Sequence, residues 1–239
     1  MLFEVKNNRH YRAACKTGTI FVRIFQYHNL KFSSMDELVV SKEKQDLFLK
    51  NLREKTDESH KQLEENKYSK AILDPSVKLA DYQTYIAKLY GVTRACERDI
   101  FPEIASVMPD LEERYKSGLI VKDLANTGVS RVGLDNIPVF QFTTSGIAAA
   151  LGVMYVLEGS TLGGKFLYKH INQTLGFDGD NGASYFWGYG QKTGMLWKLF
   201  ISSLVNYAVE ENCEEEIIAS AVQTFTTIDN WLNEADIIF

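Results

Sequence analysis

Between Thr144 and Ile171 the chain reads TSGIAAALGVMYVLEGSTLGGKFLYKHI, and apolar residues recur at three- and four-residue steps through Ile147, Leu151, Met154, Val156, Leu157, Leu162, Phe166 and Leu167. The apolar positions run nearly all the way round, which predicts a helix inside the fold rather than on its surface. Gly159, Gly163 and Gly164 interrupt it. An interior glycine costs about 1 kcal/mol against alanine, so the three together cost roughly 3 kcal/mol. Two explanations are open. A seam of small residues lets a neighbouring helix approach closely, or a bare backbone is kept free for something flat and allows a bend. The glycines alone favour the seam.

The same periodicity organises the rest of the chain. A helix is predicted from about Ser34 to Asn66, opened by capping oxygens and early acids in Ser33-Ser34-Met35-Asp36-Glu37, with a stripe through Leu47, Phe48, Leu49, Leu52, Thr56, Ser59, His60 and Leu63. After the Asp74-Pro75 turn, a second helix runs from about Val77 to Phe101 on Leu79, Tyr82, Tyr85, Ile86, Leu89 and Tyr90; Gly91 loosens it and Pro102 bends or ends it. Short helical pieces follow at 109–115 and 119–126, then a Gly-, Asn- and Pro-containing loop over 127–139. Beyond the glycine-bearing helix lies an irregular aromatic loop, 176–189. Helix 191–212 is expected to turn Met195, Leu196, Leu199, Phe200, Leu204 and Tyr207 inward, and Glu214–Glu216 open a last helix. No alternating strand pair appears after residue 35, so the fold class is all-α.

Residues 1–35 stand apart, with six basic residues (Lys6, Arg9, Arg12, Lys16, Arg23, Lys31) against one acid in a chain of net charge −5. TIFVRIFQYHNLKF within them is strand-like in apolar content. This segment is expected to be a weakly anchored extension, a misplaced translation start, or a basic arm for an acidic partner, preceding a helical domain over 36–239. The overall negative charge argues against nucleic-acid binding. Cys15, Cys96 and Cys213 are far apart and odd in number, without CxxC or other metal spacing, which argues against a disulfide framework and points to a reducing compartment, the cytoplasm. The glycine-bearing helix carries Glu158 and Lys165, so no membrane span is expected.

The candidate chemistry lies in LREKTDESHKQLE, residues 52–64. His60 sits at the edge of the apolar stripe, where a histidine is either a hydrogen-bonded structural residue or a ligand. Glu64, at i+4, can reach one imidazole nitrogen and orient the other outward, as carboxylates do for metal-ligating histidines. Arg53 lies two turns earlier on the same face, about 10 Å along the helix, and can meet an anion. A metal-binding base and a distant cation on one face suit a planar iron ligand with carboxylate tails.

With both helices in hand, the sequence resembles the heme oxygenase family over about residues 40–239. LREKTDESHKQLE looks like the family's proximal helix, in which a basic residue, a threonine, the iron-ligating histidine and a glutamate fall at the spacing of Arg53, Thr56, His60 and Glu64. YVLEGSTLGGKFLYKHI, residues 155–171, looks like its distal helix, with Gly159 preceding the pair Gly163-Gly164, and EGSTLGG is closest to the bacterial branch associated with bacteriophytochromes. The resemblance implies heme, as both cofactor and substrate, between these helices. His60 would be the axial iron ligand held by Glu64, and the glycines would form the distal wall. With oxygen and electrons from a ferredoxin or a reductase, the ring is opened to biliverdin with release of iron and carbon monoxide.

The family pattern is not met everywhere. Where some members carry a water-ordering aspartate, this chain has Ser160; Lys165 follows the glycine pair where glutamine or arginine is common; and Lys198 matches one basic residue of a later helix whose second base is here Ser202. Tyr189 or Lys192 are candidates to compensate, and His170 is read as structural. These departures motivate an alternative, a non-catalytic heme carrier or sensor on the same scaffold. A third reading is a scaffold relative with thiaminase-like or pyrroloquinoline-quinone-synthesis-like chemistry, which would not need His60 with Glu64.

Overall fold

The structure, a computed structural model, describes the backbone of residues 19–239 and the side chains of residues 42–239. The chain divides into two units, 1–43 and 44–239. The basic residues Lys6, Arg9, Arg12 and Lys16 lie outside the described residues. Thr19–Phe32, strand-like in composition, is helical: it belongs to α1, Thr19–Glu65, which passes through Ser33 and Ser34 without starting there. Local apolar content alone does not distinguish a strand from a helix.

In the second unit the C-terminal part of α1 is followed by α2 (Lys67–Ala71), α3 (Leu79–Ala95), α4 (Phe101–Ile104), α5 (Ser117–Asn126), α6 (Arg131–Asp135), α7 (Ile147–Leu175), α8 (Ser184–Trp187), α9 (Thr193–Glu211) and α10 (Glu214–Glu234). One π turn, Cys96–Ile100, joins α3 to α4, and Pro102 occupies the start of α4, where its missing N–H costs nothing. Residues 109–115 hold a 3-10 turn, Leu111–Arg114, and the 127–139 stretch contains the short α6. Among the described residues there is no strand, only an isolated bridge between Asp178 and Gly182. The fold is all-α.

α7 is the axis of the larger apolar cluster. Leu151, Met154 and Val156 pack with Leu52 of α1, Phe200 and Leu204 of α9, and Ile217 and Ile228 of α10. A second cluster forms around Tyr82 and Ile86 of α3, with Ile120 and Leu124 of α5, Ile171 of α7 and Phe186 of α8. α7 has the length and composition of a membrane-crossing helix, but 56% of its most apolar window is buried inside the fold.

Glycine supplies close approach at two crossings. A Cβ at Gly152 would stand 2.6 Å from the Ile217 carbonyl oxygen and 2.9 Å from the Ala221 nitrogen, so α10 lies directly on α7 there. A Cβ at Gly91 would collide with Trp231 Cζ2 and stand 2.6 Å from the Pro138 oxygen. Gly91 is therefore a contact point rather than a loosening of α3. The Trp231 ring cannot back away freely, because its indole Nε1 donates to the Lys88 carbonyl at 2.8 Å. Gly91→Ala is expected to cost about 1–3 kcal/mol of overpacking, less up to about 1 kcal/mol of gained helix propensity, and so to lower the thermal midpoint by several degrees. An unchanged or raised midpoint in a calorimetric scan would contradict this packing.

Candidate functional site

The face of α1 that carries the candidate residues is set by its buried positions. Phe48, Leu52, Thr56 and Ser59 recur at three- and four-residue steps and face the core. His60, one position on from Ser59, therefore emerges at the edge, with its side chain 54% exposed. Its ring lies 5.2 Å from that of Phe225 on α10, tilted by 46°. Glu64 Oε1 is 3.5 Å from His60 Nε2, a charge contact longer than a good hydrogen bond, and both side chains have room to turn. One imidazole nitrogen can thus be held by the carboxylate while the other is presented to a ligand.

Thr56 is buried, 4% exposed, and its hydroxyl donates to the Leu52 carbonyl at 2.7 Å. The hydroxyl lies near the phenol of Tyr155 on α7. Burial raises the Tyr155 pKa above its ordinary value, while the Thr56 hydrogen bond and the nearby charge of Arg53 oppose the shift. Tyr155 therefore stays neutral at physiological pH. Arg53 is exposed and lines an open hollow with Asp46, Leu49, Lys50 and Glu54. Its guanidinium makes no ion pair among the described residues.

On α7 the three glycines separate by role. A Cβ at Gly163 would meet nothing within 4 Å among the described residues, and one at Gly159 would meet only the ring of Trp197, at 3.7 Å. Gly164 is a packing glycine: its Cβ would come 3.1 Å from the Phe186 carbonyl oxygen. Ser160 is exposed, and its hydroxyl donates to the Leu157 carbonyl at 2.7 Å. Its proton is thereby committed, and its lone pairs remain free to accept from water. Leu162 and Phe166 are exposed at 47% and 68%, leaving apolar side chains beside the open glycine backbone. Open backbone, exposed apolar side chains and a histidine with an adjacent carboxylate are chemically compatible with a heme site.

Helix α9 corrects part of the sequence expectation. Leu196, Phe200 and Leu204 are buried, but Met195 and Leu199 are half exposed, and it is Trp197 that turns toward α7, its ring 5.9 Å from that of Tyr155. The helix is apolar on nearly every side, so periodicity does not fix which stripe is innermost. Lys198 is exposed and forms no ion pair among the described residues. Tyr189 and Lys192, the candidates for further anchoring, are both engaged: Lys192 Nζ lies 3.0 Å from Glu113, and Tyr189 OH donates to Glu158 at 2.6 Å. His170 accepts the structural role expected of it, its Nε2 3.1 Å from the Asp74 carbonyl.

The sequence reading gave Glu158 no part in the site. Its carboxylate is 1% exposed and receives Arg114 Nη1 on one oxygen and Lys116 Nζ, at 2.7 Å, on the other. Arg114, wholly buried, also pairs with Asp110 at 2.7 Å and donates to the Leu196 carbonyl at 3.0 Å. Burial alone would lower the Arg114 pKa, but the Asp110 hydrogen bond and the charges of Glu158 and Asp110 raise it overall. The available signal was a lone carboxylate inside an apolar helix, which must find a cation.

An all-helical domain with a ligand-capable histidine on one helix and an open glycine backbone on another is the arrangement expected of a heme-handling protein of the heme oxygenase type. The sequence profile described as heme oxygenase matches residues 46–126 and 139–234, and the chain belongs to that family. It is an enzyme of that kind, one that opens heme to biliverdin with release of iron and carbon monoxide. No curated protein matches it by sequence. Among solved structures it is similar to the NO- and CO-bound heme oxygenase of Neisseria meningitidis (24% identity, TM-score 0.60, covering 78% of this chain and 90% of that one). It is likewise similar to heme oxygenase from Leptospira interrogans (18%, 0.65, 78% and 98%). The third is heme oxygenase-1 of the cyanobacterium Synechocystis in complex with heme (17%, 0.63, 78% and 91%). At these identities the structural likenesses speak to the fold.

Proposed function

We propose that heme degradation takes place between α1 and α7, with His60 as the axial iron ligand, Glu64 as the carboxylate that orients it, and Gly159, Ser160 and Gly163 as the opposite wall. The observation that carries this reading is the opening at Gly163 and Gly159, where helix backbone is left uncovered at a cost in helix propensity. Bound heme supplies the iron and the oxidisable ring; the chain supplies orientation, water control and charge. Arg53 and Lys198 are the cations offered to the propionates, both exposed and without a salt-bridge partner among the described residues. Thr56 is buried in α1 below His60, with its hydroxyl on the Leu52 carbonyl. Gly164 serves packing against Phe186.

Ser160 is the residue through which this chain handles distal water. With its proton on Leu157, it accepts a hydrogen bond from water but bears no charge. Ser160→Asp is expected to keep hemin affinity within a few-fold and to change the turnover rate; equal rates for the two proteins would remove Ser160 from the water network. Electrons come from a ferredoxin or a reductase. The reading extends to a cytoplasmic enzyme of the bacteriophytochrome-associated branch, supported by EGSTLGG at residues 158–164 and by the cysteine pattern.

The test is a hemin titration of the purified protein followed by addition of ascorbate or a reductase. A Soret band saturating at one equivalent, then replaced by biliverdin absorption, is expected. A stable Soret band under reducing, aerobic conditions would select a carrier or sensor instead, and absence of hemin binding would select other chemistry on this scaffold.

A further inference from the structure

The segment of α7 from Gly159 to Gly164 has few side chains with which to key itself to its neighbours. Among the described residues a Cβ at Gly163 would meet nothing within 4 Å, and one at Gly159 would meet only the rim of Trp197. A helix so bare can slide or rotate unless it is gripped elsewhere, and the structure grips it at both ends. Downstream, Gly164 rests on the Phe186 carbonyl. Upstream, Glu158, the residue immediately before Gly159, is held by Arg114, Lys116 and Tyr189.

Arg114 is the centre of this second grip. Its Nη1 donates to Glu158 and its Nη2 to the Leu196 carbonyl at 3.0 Å, so one planar guanidinium spans α7 and α9. Leu196 immediately precedes Trp197, just as Glu158 immediately precedes Gly159. The same group therefore fixes both sides of the Gly159–Trp197 contact. Asp110 takes the remaining direction of the fork, with Nε at 3.0 Å and Nη2 at 2.7 Å. Lys116 Nζ bonds both Glu158 and, at 2.5 Å, the Tyr189 hydroxyl, which itself donates to Glu158. A buried charge cluster contributes little net stability compared with well-packed apolar side chains, and its attested advantage is to specify one arrangement.

We propose that Arg114 is a positioning residue for heme oxidation: by bridging Glu158 and the Leu196 carbonyl it sets the rotation and depth of the glycine-bearing wall, and thereby which edge of the heme ring is opened. This rests on the placement of heme against α7 given above. A lysine at position 114 would preserve the charge but not the fork, since an ammonium cannot hold Asp110, Glu158 and the Leu196 carbonyl in one plane. A role in charge balance alone would be satisfied by lysine; a positioning role would not.

The experiment compares the full-length protein with Arg114→Lys and Glu158→Gln in two measurements. In the hemin-free proteins, hydrogen exchange of the amides at 159–164 is followed by mass spectrometry. In the hemin-loaded proteins, the biliverdin isomers are separated by chromatography after a single turnover. Both variants are expected to keep a cooperative thermal transition, to exchange 159–164 at least about tenfold faster than the parent, and to give a mixture of isomers where the parent gives one. Parent-like exchange in Arg114→Lys, or an unchanged isomer pattern with faster exchange, would overturn the proposal. Loss of cooperative unfolding in both variants would also overturn it, assigning the cluster to the fold as a whole. If the parent binds no hemin, the placement of heme on α7 fails, while the exchange data still decide whether Arg114 fixes the wall.

Discussion

His60→Ala is expected to fold as the parent does and to lose histidine-ligated hemin. The side chain is more than half exposed, beside the Phe225 ring and the exposed Glu64 carboxylate, so its removal leaves no buried cavity and no buried unpaired charge. The effect on chemistry is far larger. Removing an outer carboxylate such as Glu64 costs about 10–100-fold in metal-site function, and removing the ligand costs more. Turnover of hemin is expected to fall by more than about 100-fold, with partial recovery when imidazole is added to fill the vacant position. Parent-like Soret and electron paramagnetic resonance spectra in His60→Ala would show that another group holds the iron.

The second large effect separates two glycines of one helix. Gly163→Leu places its Cβ in open space, so the variant gains up to about 1 kcal/mol of helix propensity and its thermal midpoint is expected to be equal or higher. Its side chain then occupies the proposed heme slot. Overpacking of about 1–3 kcal/mol corresponds to roughly 5–150-fold weaker hemin binding. Gly152→Ala behaves in the opposite way. Its Cβ meets Ile217 and Ala221 backbone, which cannot swing aside, and the α7–α10 contact must open. A clear loss of stability is expected, with hemin affinity of the folded fraction little changed. Scanning calorimetry and hemin titration on the two proteins distinguish these outcomes; a destabilised Gly163→Leu with parent affinity would place Gly163 in a packing seam.

These glycines also mark what could be read from the chain. The periodicity of residues 144–171 is enough to identify a buried helix, and LREKTDESHKQLE enough to place His60 and Glu64 one turn apart. Which glycine serves which purpose is not a local property. Gly164 needs Phe186, Gly152 needs Ile217, and Gly163 is known to be free only once its surroundings are in place. The grip on Glu158 is hidden for the same reason: Arg114 lies in the polar run DLEERYK, where it reads as a solvated charge, and its partner is 44 residues away. In α9 an all-round apolar pattern leaves the phase of the inner stripe undetermined: Met195 and Leu199 fit it as well as any, yet Trp197 is the residue turned toward α7. Thr56 fits the spacing of LREKTDESHKQLE, and its hydroxyl is turned to the Leu52 carbonyl. A threonine in mid-helix commonly bonds back to the preceding turn, a tendency that competes with any outward role.

The reading of the site comes down to the position of one ring against two helices. A crystal structure of the hemin complex measures it directly. Iron is expected to be bound by an imidazole nitrogen of His60, with the opposite face of the ring against the backbone of Gly159 and Gly163. Iron held by His170 or by no histidine, or a ring lying away from α7, would contradict it.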